Sequence, residues 1–494
     1  MNKAKQVQTS SNRDIVIIGG GVVGGLLTQA ITQLQLPITV TLISAHQLST
    51  STGYQDDIRA LALAQQTLEQ IAKMGIDTDF VKCAIQQIHI SDQGQIGQVR
   101  LTAAENAVPA LGHVTAISVL EQAINHALLT HTHSTTLADT GKLQVLEQTQ
   151  CREVQTQPDG THRCVLDNGQ VMTSTCVVFA DGQVAGLKQQ LGMTSTVKDY
   201  GQQGVVSVVG IDRPGPARYQ DVCTAFERFT SNGPLALLPM HTDANESHIT
   251  QRYSLVWCTS EPHSAQILHL TDNEFLNTLQ QCFGDRAGRF VQVAERQRFN
   301  LQLTTHQTTT AGIFCIGNAA QALHPIAGQG FNLAVRDISD FVDSIKTAHA
   351  HQHLGSAAHS ADFSTRRESD RNTIIQATDS LLHIFSNDYI GLADACGETG
   401  AATVTFTVTD DCGNENQTTA TVTVGDASAP DITANAVDST VECDGAGNTA
   451  ELNAWLAANG NAAATDDCGT VTWSNDFIAL SDDCGATGAA VVIF

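Results

Sequence analysis

The chain has 494 residues, 50 acids against 25 Lys and Arg, and a formal net charge of −25. That length exceeds one ordinary domain, and a 42% hydrophobic share is enough to bury a core, which excludes global disorder. An acidic chain without a basic cluster is repelled by phosphate, so no nucleic acid is expected as a partner. The charge is uneven: residues 372–494 hold 18 acids and no Lys or Arg, which marks two pieces of different origin. No segment reaches the roughly 18 apolar residues that a bilayer span needs. The polar N-terminus lacks a secretory core, and a cytoplasmic location is expected for the first piece. Eight cysteines before residue 390 form no CxxC pair and read as reduced thiols. Five follow it (Cys396, Cys412, Cys443, Cys468 and Cys484) in Asp/Gly/Thr-rich sequence, and these read as a disulfide framework.

After a polar extension over 1–13, residues 14–43 read as strand, helix, strand. Asp14–Ile18 and Ile38–Ile43 are apolar runs, and Leu26, Leu27, Ala30, Ile31 and Leu34 recur at helical spacing. Residues 60–76 and 117–130 read as amphipathic helices, and 86–101 and 142–180 as short strands. Alternating strands over 203–259 predict an antiparallel sheet, and 332–386 is mostly helical. Between the first two strands, Gly19-Gly20-Gly21-Val22-Val23-Gly24 fits GxGxxG. Gly19 permits the turn, Gly21 lets backbone approach a pyrophosphate, and Gly24 lets helix and strand pack closely. The acid that would hold a ribose at the end of the second strand is replaced by Ser44, a shorter and neutral partner.

Two further motifs specify the dinucleotide. Phe179-Ala180-Asp181-Gly182 ends an apolar strand, and residues 316–332 run strand, turn and Gly-rich loop into a helix. With Asp57-Ile58-Arg59, Phe226–Phe229, Gly233–Pro239, Ser254–Trp257 and Asp379–His383, residues 13–386 resemble the FAD-dependent aromatic hydroxylases of the p-hydroxybenzoate hydroxylase fold. Within these they resemble the ubiquinone-biosynthesis branch, 2-octaprenyl-6-methoxyphenol hydroxylase. The resemblance implies an α/β fold: a Rossmann-like FAD-binding domain over 14–198 and 301–386, with an inserted antiparallel-sheet substrate domain over 199–300. It implies that Gly19, Gly21 and Gly24 hold the FAD pyrophosphate, with Arg59 nearby. Asp181 and Gly182 would serve FAD and NAD(P)H. Gly317 and Asn318 would face the ribityl chain, and Pro325, Gly328, Gln329, Gly330, Phe331 and Asn332 would line the flavin ring. Asn318 stands where many relatives have Asp, and Gln321 where others have His.

The reaction implied is reduction of FAD by NAD(P)H, formation of a flavin C4a-hydroperoxide with O2, and hydroxylation of a polyprenylated methoxyphenol. A polyprenyl phenol is membrane-borne, so peripheral contact with the inner membrane and a ubiquinone-biosynthesis complex are implied as partners. The flavin carries the chemistry. His324 is a candidate proton carrier beside the flavin loop, weighed against a structural role. His126, His131 and His133 lack a carboxylate or Cys at ligand spacing, and no metal is expected. The alternative readings are another ring hydroxylase on the same fold, or an inactive chimera whose acidic tail is an extracellular adhesion-type repeat.

The tail repeats at an offset of 88 residues: 387–406 matches 475–494. Residues 387–474 therefore read as one repeat and 475–494 as the truncated start of another. Thr403–Thr409 and Thr418–Val424 alternate as strands. This tail resembles the hyalin-repeat and immunoglobulin-like modules of bacterial surface proteins, which implies an all-β domain. Cys396 with Cys412 and Cys443 with Cys468 are the pairs taken; spacing alone leaves other connectivities open. The tail's many Asp residues could bind calcium, a reading weighed against a solvated acidic face. Ser-Asn-Asp at both 386–388 and 474–476 suggests the crossover point of a fusion.

Overall fold

Ile15, Val16, Ile17 and Ile18 are all buried, and they feed two cores at once. Ile15 and Ile17 pack with Leu26 and Leu27 of the helix Val22–Thr32 and with Ile338 and Phe341 of the helix Gln329–Ala350. Val16 and Ile18 join Val177, Phe179 and Ile313 on the other face. A strand covered on both faces has no polar alternation, which is why the sequence reads as a continuous apolar run. The computed structural model describes residues 11–48, 59–81, 83–93, 98–133, 142–181, 185–213, 223–241, 249–307 and 310–385 of one compact unit, Met1–Asn387. In the second, Asp388–Phe494, it describes 393–396, 399–409, 415–424, 430–442, 444, 448–466, 471–481 and 488–494.

The first sheet of the larger unit runs Leu143–Leu146, Val40–Ile43, Ser11–Ile18 and Val171–Phe179, all parallel. Ile313–Cys315 joins the C-terminal end of Val171–Phe179 in parallel, while His162–Leu166 pairs antiparallel with its N-terminal end. The carboxyl ends of the strands closing with Ile18, Ile43, Phe179 and Cys315 therefore lie along one edge. Open α/β sheets bind ligands at that edge.

The second sheet is antiparallel over Gln297–Gln307, Thr194–Asp212, Gln251–Ser260, Gly233–Met240 and Thr224–Thr230. It continues into Gln87–Asp92, paired in parallel with Thr224–Thr230, and then Gln98–Thr102. One face carries Val205, Leu235, Leu255 and Trp257 against the helices Glu261–His269 and Asp272–Phe283. A capping box starts the second helix, with Thr271 Oγ1 accepting from Glu274 N and Thr271 N donating to Glu274 Oε2.

Residues 60–76 differ from the sequence expectation. Ala60–Leu63 is a strand paired with Gly112–Ala116, and the helix starts at Gln65. Asn332 decides this by accepting from Ala64 N at 2.9 Å and donating to Ala62 O at 3.0 Å. Backbone pairing and a buried amide override the helix preference of Ala and Leu. All eight cysteines before residue 390 are free thiols, as expected, and burial pushes Cys83 and Cys315 up to about 12.

The second unit corrects the expectation of an all-β domain. Thr399–Thr409 and Glu415–Val424 do pair antiparallel, with Phe406 opposite Thr418, and Ala393–Cys396 adds a third strand. Asp431–Ala434 and Ala463–Thr465 form a separate pair. Between them Thr449–Ala457 is an α-helix, built from Ala, Leu and Glu, with Trp455 Nε1 donating to Val437 O at 2.9 Å. Cys412, Cys443, Cys468 and Cys484 lie outside the described residues, as does the Cys396 side chain, so the paired cysteines are not located.

Candidate active site

A cleft of about 1100 Å³ opens along the carboxyl edge of the first sheet and extends under the second. That volume lies just above the ~300–1,000 Å³ usual for small-molecule sites, as an extended ligand requires. Gly19, Gly21, Ser44, Arg59, Asp181, Asn318, His324, Pro325, Gly328, Gly330 and Phe331 line it, so most of the residues singled out in the sequence converge here. Gly24, Gly317, Gln329 and Asn332 stand outside the lining, and Gly182 lies outside the described residues.

The three glycines of the first loop do different work. A Cβ on Gly24 would collide with Gly19 O, and one on Gly19, at φ +117°, would come within 2.7 Å of Asp181 Cβ. These two glycines therefore hold loop, helix and neighbouring strand together. A Cβ on Gly21 would meet nothing within 4 Å, because Gly21 faces the cleft. It also caps the helix Val22–Thr32, whose first N–H groups need an outside acceptor. An open glycine cradle at a helix N-terminus fits the pyrophosphate of a dinucleotide such as FAD.

Ser44 is buried at the cleft edge, but its hydroxyl is occupied: Oγ donates to His46 O at 2.7 Å and accepts from His46 N. It shapes its own turn rather than offering a free hydrogen bond to a ribose. Polar groups on the cleft come instead from the helix Ile117–His133, through Ser118, Glu121, Gln122 and Asn125. Their signal was present in the sequence. They recur three to four residues apart, along a stripe beside that of the buried Leu120, Ile124 and Leu128. Arg59 sets its guanidinium over the Phe299 ring at 5.7 Å.

The loop after Cys315 rests on a network of residues that motif reading missed. Asp337, 0% exposed, accepts from Gly317 N at 3.0 Å and Gln321 Nε2 at 2.8 Å. Its other oxygen takes Arg367 Nε at 2.7 Å and Arg371 Nη2 at 3.1 Å. Arg367, 2% exposed, also bridges Asp340 and Asp370. The pairing holds its guanidinium above its ordinary range despite burial. Gly317 and Gln321 thus position Asn318, which is exposed to the cleft.

His324 is held neutral. Nδ1 accepts from Ile326 N at 3.2 Å, so the ring proton sits on Nε2, which donates to Gln202 Oε1 at 3.1 Å. Burial pulls its pKa down to about 4. Both ring nitrogens are engaged in joining the flavin-type loop to the second sheet, which is a structural role. Asn332 likewise points away from the cleft, into its clamp on Ala62 and Ala64.

The second sheet supplies an apolar wall of Val206, Leu238, Val256, Phe299 and Leu301. On this face Glu227 lies in register with Ala236, Val256 and Val206. Burial pushes its carboxyl up to about 7. A carboxyl raised by folding favours the fold most below its unfolded value, near pH 4.3, and that contribution is lost as pH rises through 7. Between pH 4.5 and 8, Glu227→Gln is therefore expected to gain about 3 kcal/mol of stability relative to the parent. Urea unfolding at the two pH values measures this, and a difference that stays constant with pH refutes it.

Comparison with known proteins agrees with this geometry. Residues 12–359 match the FAD binding domain family. The ubiquinone hydroxylase UbiL of Rhodospirillum rubrum is 27% identical over 385 residues, covering 77% of this chain and 83% of its own length. The 3-demethoxyubiquinol 3-hydroxylase of Escherichia coli K12 is 26% identical over 346 residues, covering 69% and 82%. The crystal structure of PqsL from P. aeruginosa in complex with 2-aminobenzoylacetate superposes with a TM-score of 0.58 at 17% identity, covering 76% of this chain and 97% of that one. At that identity the likeness speaks for the fold.

Proposed function

The chain belongs to the FAD binding domain family, and from that premise we propose that it hydroxylates a polyprenylated methoxyphenol in ubiquinone biosynthesis. It is an aromatic-ring monooxygenase with FAD as cofactor and NAD(P)H as reductant. The observation that carries the proposal is the cleft itself, where glycine loops meet an apolar wall in one continuous space. The relatives named for ubiquinone hydroxylation support the choice of substrate class.

FAD, when bound, supplies the oxygen-transfer chemistry with NAD(P)H and O2. The protein's own residues bind, orient and exclude water. Gly19, Gly21 and the helix N-terminus at Val22 would hold the pyrophosphate. Asp181 and Asn318 offer polar side chains farther along the cleft, and Pro325, Gly328, Gly330 and Phe331 form the loop that would cover the ring system. Val206, Val256, Phe299 and Leu301 would pack against the substrate ring and keep water from it. His324, neutral and doubly bonded, would hold that loop against the sheet through Gln202. A polyprenyl substrate is delivered from a membrane. Peripheral contact with the bilayer belongs to this reading; among the described residues no helix is long and apolar enough to cross one.

The test is the flavin absorbance of the purified, desalted full chain, expressed as FAD per protein, followed by NAD(P)H oxidation with prenylated methoxyphenols under O2. A ratio near one and a product one oxygen heavier are expected. No retained FAD, or NAD(P)H consumption without a hydroxylated product, overturns the proposal.

A further inference from the structure

The apolar wall of the cleft has one feature that its packing does not explain. Ser254 lies in the strand Gln251–Ser260, in register between Val208 and Leu238, and lines the cleft beside Val256. It is 1% exposed, and its Oγ has no hydrogen-bond partner. Val256, which lines the same cleft, shows the apolar kind of side chain that this wall ordinarily holds, whereas Leu255 and Trp257 fill the opposite core. A buried hydroxyl without a partner is destabilising, whereas an apolar residue of similar size would not be. Such a group is retained at a cost to the fold when a ligand completes it.

We propose that Ser254 is a specificity-determining residue whose hydroxyl hydrogen-bonds the ring hydroxyl of the substrate. The inference rests on the reading of the cleft as an aromatic-substrate site and adds which part of the ring the protein recognises. The ring's carbon framework would meet Val206, Leu238 and Val256, and the hydroxyl would meet Ser254 Oγ, set beside them. A site built to pair a hydroxyl rejects the analogue lacking it, because the site's own polar group is then left unpaired. The choice among ring edges would follow from this single contact.

The experiment uses the full-length, FAD-loaded chain and two probes, 2-methoxyphenol and methoxybenzene, which differ by the ring hydroxyl. Binding is read from the perturbation of the flavin spectrum, and thermal stability is measured without ligand. The parent is expected to bind 2-methoxyphenol about tenfold more tightly than methoxybenzene, the scale of one net hydrogen bond. Ser254→Ala is expected to reduce that preference to within about twofold, leaving methoxybenzene affinity unchanged. Its ligand-free melting temperature should equal or exceed the parent's, since the substitution removes an unpaired hydroxyl. An unchanged preference in Ser254→Ala overturns the proposal. A lowered melting temperature does so as well, because it means the hydroxyl is already paired within the fold. If the FAD-loaded parent binds neither probe, the proposal falls together with the aromatic-substrate reading. A parent that binds both equally overturns the Ser254 assignment alone.

Discussion

Asp337→Ala is expected to cost about 3–5 kcal/mol of stability, because it leaves the buried Arg367 without its central partner. The carboxylate is the hub of four contacts, from Gly317 N, Gln321, Arg367 and Arg371. Two of these hold the turn that presents Asn318 to the cleft. The same substitution should therefore strip FAD from the protein as well as lower its unfolding midpoint. Asp337→Asn keeps the shape and one acceptor oxygen, and Arg367 retains Asp340 and Asp370, so a smaller loss is expected. Urea unfolding with FAD-per-protein ratios on the three proteins checks both halves. A stable Asp337→Ala chain with full flavin content would show that the network is dispensable.

Gly21→Ala and Gly24→Ala are expected to separate cofactor binding from folding, although the positions are three residues apart. Gly24 has no room: its Cβ would meet Gly19 O and come within 3.2 Å of Ala180 Cβ. Overpacking at such a contact costs about 1–3 kcal/mol, so Gly24→Ala should melt early whether or not FAD is present. Gly21 has open space, and φ −75° there suits any residue. Without FAD, Gly21→Ala should lose no more than about 1 kcal/mol, the difference between Gly and Ala at a helix cap. With FAD, its methyl group stands where the pyrophosphate must approach, and affinity should fall at least about tenfold. The measurements are melting temperatures of the apo proteins and FAD titration by quenching of flavin fluorescence. Equal FAD affinity in Gly21→Ala and the parent would move the pyrophosphate away from this loop.

What the sequence determined by itself is the part of the molecule governed by local rules. The apolar runs Asp14–Ile18 and Ile38–Ile43 and the helical spacing between them define a strand–helix–strand unit, because a strand covered on both faces and an amphipathic helix each have their own periodicity. The GxGxxG spacing is legible because backbone sterics alone demand glycine at Gly19 and Gly24. The alternating strands between 203 and 259 are legible because one face packs on helices and the other on a cleft. The helix Thr449–Ala457 escaped this reading, because the β-rich repeat around it outweighed its Ala, Leu and Glu content.

The tertiary structure alone decided the rest. Ala60–Leu63 became a strand because Asn332, far along the chain, bonds its backbone. Gln87–Asp92 joined the second sheet by pairing with Thr224–Thr230. Ser44 looked like a ribose ligand until its hydroxyl was found closed on His46. Asn332 left the cleft that its motif suggested, and His324 was fixed as a neutral strut. Asp337, Arg367 and Arg371 carry no motif, and Ser254 and Glu227 are ordinary residues until burial removes their water. Periodicity is set by neighbours a few residues apart, whereas pairing, burial and protonation are set by groups that only folding brings together.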